Sequence, residues 1–137
     1  MTIEEKSISN SETHKIYTEF ATKRNIVLHH GDSLEFLKSI PNNTVSLIVT
    51  SPPYNLGKIY EEKATLESYL KTQETVIKEL YRILNNEGSI CWEVGNYVNN
   101  GEVYPLDIYF YNIFKKTGMQ LRNRIIWHFG HGLHCKK

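Results

Sequence analysis

An α/β domain with a largely parallel sheet is the fold class this sequence predicts, and three observations predict it. Short apolar runs alternate with segments of helical periodicity from Asn25 onward. One run, Val45-Ser46-Leu47-Ile48-Val49, is nearly all apolar and β-branched without alternation, as in a strand buried on both faces of a parallel sheet. Each run ends in loop-forming residues: Gly31-Asp32, Pro52-Pro53 and Gly95-Asn96. The resulting order is strand, helix, strand, helix, strand, helix, strand, which implies right-handed crossovers.

The elements follow in chain order. Residues 1–22 hold few large apolar side chains and read as a mobile arm; the ordered part is expected over residues 23–137. Ile26-Val27-Leu28-His29 is a short strand closed by Gly31. Residues 33–39 suit a short helix with Asp32 or Ser33 as N-cap, ended by Pro41. The run at 45–49 is the second strand, and two prolines forbid its continuation beyond Ser51. Leu66, Tyr69, Leu70, Val76, Ile77, Leu80, Tyr81 and Leu84 recur at helical spacing and predict a helix of roughly 20 residues. Asn85-Asn86-Glu87-Gly88 stops it, and residues 89–94 form the third strand. Pro105 opens a helix running to Lys115 or Lys116, with Gly118 as its C-cap. Residues 124–129 read as the last strand.

Ligands of such sheets bind beyond the carboxyl ends of the strands. Residues 50–55, 95–97 and 129–131 would all lie along that edge.

The totals narrow the function classes. Net charge is +1, from 16 basic and 15 acidic residues, so no strongly basic nucleic-acid-binding character shows in the balance. No apolar run is long enough to span a membrane, and the polar start MTIEEKSISNSETHK lacks a signal-peptide core. Two cysteines, Cys91 and Cys135, argue against a disulfide framework, and a cytoplasmic location is expected. His128, His131, His134 and Cys135 lack the paired ligand sets of a zinc signature, and no metal is expected.

The segment Thr50-Ser51-Pro52-Pro53-Tyr54-Asn55, after an apolar strand, resembles motif IV of amino-group DNA methyltransferases. The resemblance extends upstream to Gly31-Asp32-Ser33. Downstream it runs through the long helix and the Trp92 strand to Arg122-Asn123-Arg124-Ile125-Ile126-Trp127. It implies a Rossmann-like, S-adenosylmethionine-dependent domain that methylates cytosine N4 or adenine N6 in double-stranded DNA, in the setting of restriction-modification. The chemistry fits the residue types. An exocyclic amine is a poor nucleophile because its lone pair is delocalised into the ring. Ser51 Oγ and the Pro52 carbonyl can accept hydrogen bonds from that amine, and Pro52 and Pro53 stiffen the loop that carries them. Tyr54 offers a flat face to a base flipped out of the duplex. These four are the expected catalytic residues. Serine at the first position leans toward cytosine N4.

Asp32 is expected on the S-adenosylmethionine side of the pocket by the resemblance, and serves equally as a helix N-cap. Asn55, placed with it on the cofactor side, could bond within the loop or in the pocket.

The family's Gly-rich cofactor segment, Phe-x-Gly-x-Gly after a strand, does not occur in these residues, nor does a target-recognition region. The chain is therefore expected to be the catalytic-loop part of an incomplete domain, from a truncated or split enzyme. Alone it is expected to bind cofactor weakly and to transfer methyl groups poorly or not at all. The alternative is a non-catalytic interaction half-domain that completes a second polypeptide carrying the Gly-rich segment. In either case the strand at 45–49 is left with an unpaired apolar edge.

Overall fold

A computed structural model of the chain describes residues 14–55 and 63–128. Its elements are β1 (Ile16–Tyr17), β2 (Ile26–Val27), α1 (Ser33–Lys38), β3 (Val45–Thr50), α2 (Leu66–Ile83), β4 (Leu84–Trp92), β5 (Asn96–Asn99), β6 (Glu102–Pro105) and α3 (Leu106–Lys116). The α/β class holds, with parallel pairing of β1 with β2 and of β3 with β4. The third pair, β5 with β6, is antiparallel.

Helices α1 and α2 start where side chains satisfy a first-turn N–H group. Asp32 Oδ1 accepts from Glu35 N at 3.0 Å at the start of α1. Thr65 Oγ1 accepts from Ser68 N at 3.2 Å at the start of α2. Helix α3 begins at Leu106, with Pro105 in the N-cap position one residue earlier than expected. It ends with Lys115 and Lys116 in its last turn and Gly118 at a φ of 93°, the left-handed conformation a C-cap glycine supplies.

Helix α2 is the spine of the molecule. Tyr69, Gln73, Ile77, Leu80 and Ile83 are its buried residues, one stripe at helical spacing. Tyr69 and Ile77 join Tyr97, Leu106, Phe110 and Ile113 in one apolar cluster. Leu80 and Ile83 join Ile40 in another, against which Phe20, Phe36, Leu37, Val45 and Ile48 pack. Arg82 ties the second cluster together from outside. Its guanidinium donates to the carbonyls of Leu37 and Ile40, to Asn42 Oδ1 and to Glu79, all within 2.9 Å. Trp92 packs between the clusters against Phe110 and Phe114, and its buried indole N–H has no hydrogen-bond acceptor among the described residues.

Four sequence expectations need correction. The arm boundary at residue 22 lies too late: Ile16 and Tyr17 pair with Ile26 and Val27, and Phe20 packs on the second cluster. Residues 1–13 lie outside the described residues. The strand read from 26 to 29 is shorter, Ile26–Val27, and pairs with that upstream segment. Residues 85–88 do not separate α2 from a later strand. Strand β4 starts at Leu84, and residues 85–88 bulge between its pairing with Val45 and its pairing with Leu47.

The strand expected over 124–129 is absent from its described part: residues 119–128 form no regular element, and Ile125, Ile126 and Trp127 are more than two-thirds exposed. A strand is defined by its pairing, and among the described residues no strand pairs with this segment. Arg124 instead pairs with Asp107 on α3.

Candidate active site

The loop after β3 lies beside the end of β4, at the carboxyl edge of their two-stranded sheet. Parallel pairing brings Thr50 level with Trp92, and Glu93 N donates to the Thr50 carbonyl at 3.0 Å. Residues 51–55 then leave the sheet as an ordered turn held at several points.

The hydroxyls of Ser51 and Tyr54 lie 2.7 Å apart, bonded across the proline pair. A serine hydroxyl has one donor and two lone pairs. Whichever oxygen donates here, Ser51 keeps at least one lone pair for another hydrogen. Ser51 is exposed, whereas Pro52 and Tyr54 are half-buried. The Tyr54 ring packs on the first apolar cluster.

Two residues fix the loop to its surroundings. Tyr69, buried on the first turns of α2, donates its hydroxyl to the Pro53 carbonyl at 2.6 Å. Asn55 is 2% exposed and brackets Ala64: its Nδ2 donates to the Ala64 carbonyl and its Oδ1 accepts from Ala64 N, each at 2.7 Å. Asn55 has a φ of 58°, a left-handed conformation that asparagine tolerates better than most residues. A third residue makes room. A Cβ on Gly95 would stand 3.2 Å from the Tyr54 ring, so glycine lets the strand end approach the ring face.

The structure thus brings Ser51, Pro52, Pro53, Tyr54 and Asn55 together. Both ends of the Asn55 amide are taken by the backbone of Ala64, in the segment leading into α2. Asp32 sits apart on the loop before α1, exposed, and acts as its N-cap. The sequence places Tyr69 on the helical stripe and Gly95 on the ligand edge, but assigns neither of them contact with the loop. A signal existed for Tyr69, since a tyrosine on a buried helical stripe must place its hydroxyl on an acceptor. Shifted titrations lie away from the loop. A hydrogen bond to Glu35 raises Lys38, a hydrogen bond from Lys78 lowers Glu74, and a hydrogen bond to Glu102 raises Tyr104. Among the described residues no cluster of His, Cys, Asp or Glu could hold a metal ion, and His131, His134 and Cys135 lie outside them.

This geometry can be set beside known proteins. The sequence model of the N6/N4 type of DNA methylase matches residues 45–134, two-thirds of the chain, starting at β3 and including the whole loop. The chain belongs to the DNA methylase family. Among curated relatives of these methylases, the type II methyltransferase M.BglII of Bacillus subtilis is 49% identical over 111 residues, covering 80% of this chain and 31% of the relative. M.ScaI of Streptomyces caespitosus is 36% identical, over 82% of this chain and 36% of its own length. Among solved structures, the PvuII DNA methyltransferase, cytosine-N4-specific, superposes with a TM-score of 0.50 at 28% identity, covering 64% of this chain and 31% of that one. The chain spans about a third of the length of each of these relatives.

Proposed function

We propose that this methylase segment carries the base-amine side of the active site of an S-adenosylmethionine-dependent DNA methyltransferase. The observation that carries the reading is the loop itself, in which an exposed serine is bonded to a tyrosine while Pro53 is tied to α2 and Asn55 to Ala64. The target amine's hydrogens go to Ser51 Oγ and the Pro52 carbonyl, which localises its lone pair for attack. Tyr54 supports the flipped base on its ring face. Because the acceptors are held before substrate arrives, little reorganisation is needed during reaction. Cytosine N4 is the favoured target. Serine at position 51 and the likeness to a cytosine-N4-specific enzyme support it.

When bound, S-adenosylmethionine supplies an activated methyl group. Asp32, an exposed carboxylate, suits a ligand's hydroxyl or amine hydrogens. Asn55 fits a different role: both ends of its amide engage Ala64, so it positions the loop.

The test incubates the chain with double-stranded DNA and radiolabelled S-adenosylmethionine, alone and with the remaining segment of a relative such as M.BglII. The DNA is then digested to nucleosides. Label in N4-methylcytosine that Ser51→Ala and Tyr54→Ala abolish is the expected result with the added segment. Label on adenine would overturn the base preference, and no label under either condition would overturn the reaction.

A second reading is favoured by one observation. Leu47 and Val49 lie on one face of β3 and are 61% and 71% exposed. Such a face suits a polypeptide interface, as expected of a half-domain that completes another chain. Co-elution of this chain with the Gly-rich segment, without methyl transfer, would select that reading.

A further inference from the structure

Beside the loop lies a cleft of about 410 Å³ that the proposed reaction does not use. One wall is the segment leading into α2, with Lys63 and Thr65. The other is the β5–β6 hairpin, with Tyr97, Asn99 and Tyr104. Ala64, whose backbone Asn55 brackets, also lines it, so the cleft is joined to the catalytic loop through that residue. We propose that this cleft is a nucleotide subsite, taking the phosphate and base of a nucleotide next to the target. The assignment rests on the DNA methyltransferase reading above.

The chemistry of the walls carries it. Lys63 Nζ lies 5.3 Å from the Tyr97 ring centroid and 3.3 Å from the Val98 carbonyl, which holds the ammonium at the cleft. An ammonium has three donors, and one carbonyl uses one of them. The others suit phosphate oxygens. Tyr97 is buried, whereas Tyr104, 5.7 Å from it, is half-buried and offers a ring for a base to stack on. Asn99 adds an amide that can both donate and accept. A cation, an aromatic platform and an amide in one concavity is the composition of sites that bind unpaired nucleotides. A flipped target leaves its neighbours partly unstacked, and such a subsite would steady one of them. One group opposes the phosphate: the Glu102 carboxylate, which accepts from the Tyr104 hydroxyl at 2.6 Å.

That opposition makes the test sharp. The 137-residue chain, labelled with ¹⁵N, is titrated with deoxycytidine 5′-monophosphate and, separately, with deoxycytidine. The monophosphate is expected to shift the amides of Lys63, Tyr97, Asn99 and Tyr104, with saturation in the millimolar range. Lys63→Met should weaken it about tenfold, the loss of one hydrogen bond to a charged group. Glu102→Gln should tighten it at low salt. Both side chains are exposed, so neither change threatens the fold. Equal binding of the uncharged nucleoside, indifference to both substitutions, or no shifts at the cleft would overturn the subsite. Shifts confined to Ser51 and Tyr54 would overturn it while leaving the catalytic reading intact. Cleft shifts in a protein that never methylates DNA, even with the added segment, would overturn the methyltransferase reading and with it the assignment of the cleft to a nucleotide beside the target.

Discussion

Replacing Asn55 with alanine should be the most damaging single change near the loop that leaves every apolar contact of the two clusters in place. Asn55 makes two 2.7 Å bonds to the backbone of Ala64 from a site 2% exposed. Each is worth about 1 kcal/mol net, and the Ala64 N–H and C=O would be left without those partners. Asn55 also sits at a φ of 58°, where alanine pays roughly 1 kcal/mol more than asparagine or glycine. The sum is about 3 kcal/mol. Urea unfolding followed by circular dichroism measures it as a fall in midpoint at constant m-value. Asn55→Gly separates the two causes. It loses the same bonds without the conformational strain, so it should lie about 1 kcal/mol above Asn55→Ala. An Asn55→Ala variant within about 0.5 kcal/mol of the native chain would refute the bracket, as 0.5 kcal/mol is the scale of ordinary surface substitutions. A glycine variant no better than the alanine variant would refute the strain argument.

Other outcomes follow from the same geometry. Tyr69→Phe keeps the ring's edge-on packing against Phe110 but frees the Pro53 carbonyl, and should cost about 1 kcal/mol by the same unfolding assay. Gly95→Ala places a methyl 3.2 Å from the Tyr54 ring, so the ring must give way. Near-ultraviolet circular dichroism should register the moved tyrosine, and methyl transfer in the complemented assay should fall further than stability does. Tyr104 titrates above its ordinary value of 10.0 because its neutral hydroxyl donates to Glu102. The stability this bond contributes is complete below that ordinary value and is lost as pH rises through the higher folded value. Ultraviolet titration of tyrosinate should show a late-ionising component that Glu102→Gln moves to lower pH.

The sequence was legible wherever structure is local. Helix α2 declares itself by period, and Asp32 and Gly118 by capping chemistry. The β5–β6 hairpin was missed although Asn100-Gly101 carries a strong local signal for it. Both residues have positive φ, 49° and 80°, between runs that pair residue for residue. Residues 124–128 failed for the opposite reason. Their β-branched pattern is real, but a strand is a property of the pair, and among the described residues no strand pairs with them. The loop residues 51–55 were visible through their resemblance to a motif. Their supports were not. Tyr69 lies 16 residues from Pro53 in the chain, and Gly95 lies beyond an entire helix and strand from Tyr54. No local pattern encodes such pairings.

The supports have one further consequence. Tyr69, Ala64 and Gly95 hold the loop from α2, from the segment preceding it and from the end of β4. None of them lies on the exposed face of β3, and the side chains of Leu47 and Val49 join neither apolar cluster. The geometry between Ser51 and Tyr54 should therefore be independent of whatever covers that face. Leu47→Thr with Val49→Thr removes two apolar side chains that are more than half exposed, so folding loses little of the burial that stabilises the clusters. Self-association, measured by sedimentation velocity, should decrease in this double variant, because an exposed apolar strand is what drives it. The Ser51 and Tyr54 resonances should stay where they are. Movement of those resonances would mean that the β3 face and the loop form one coupled unit, and that the loop takes its final shape only when the face is covered.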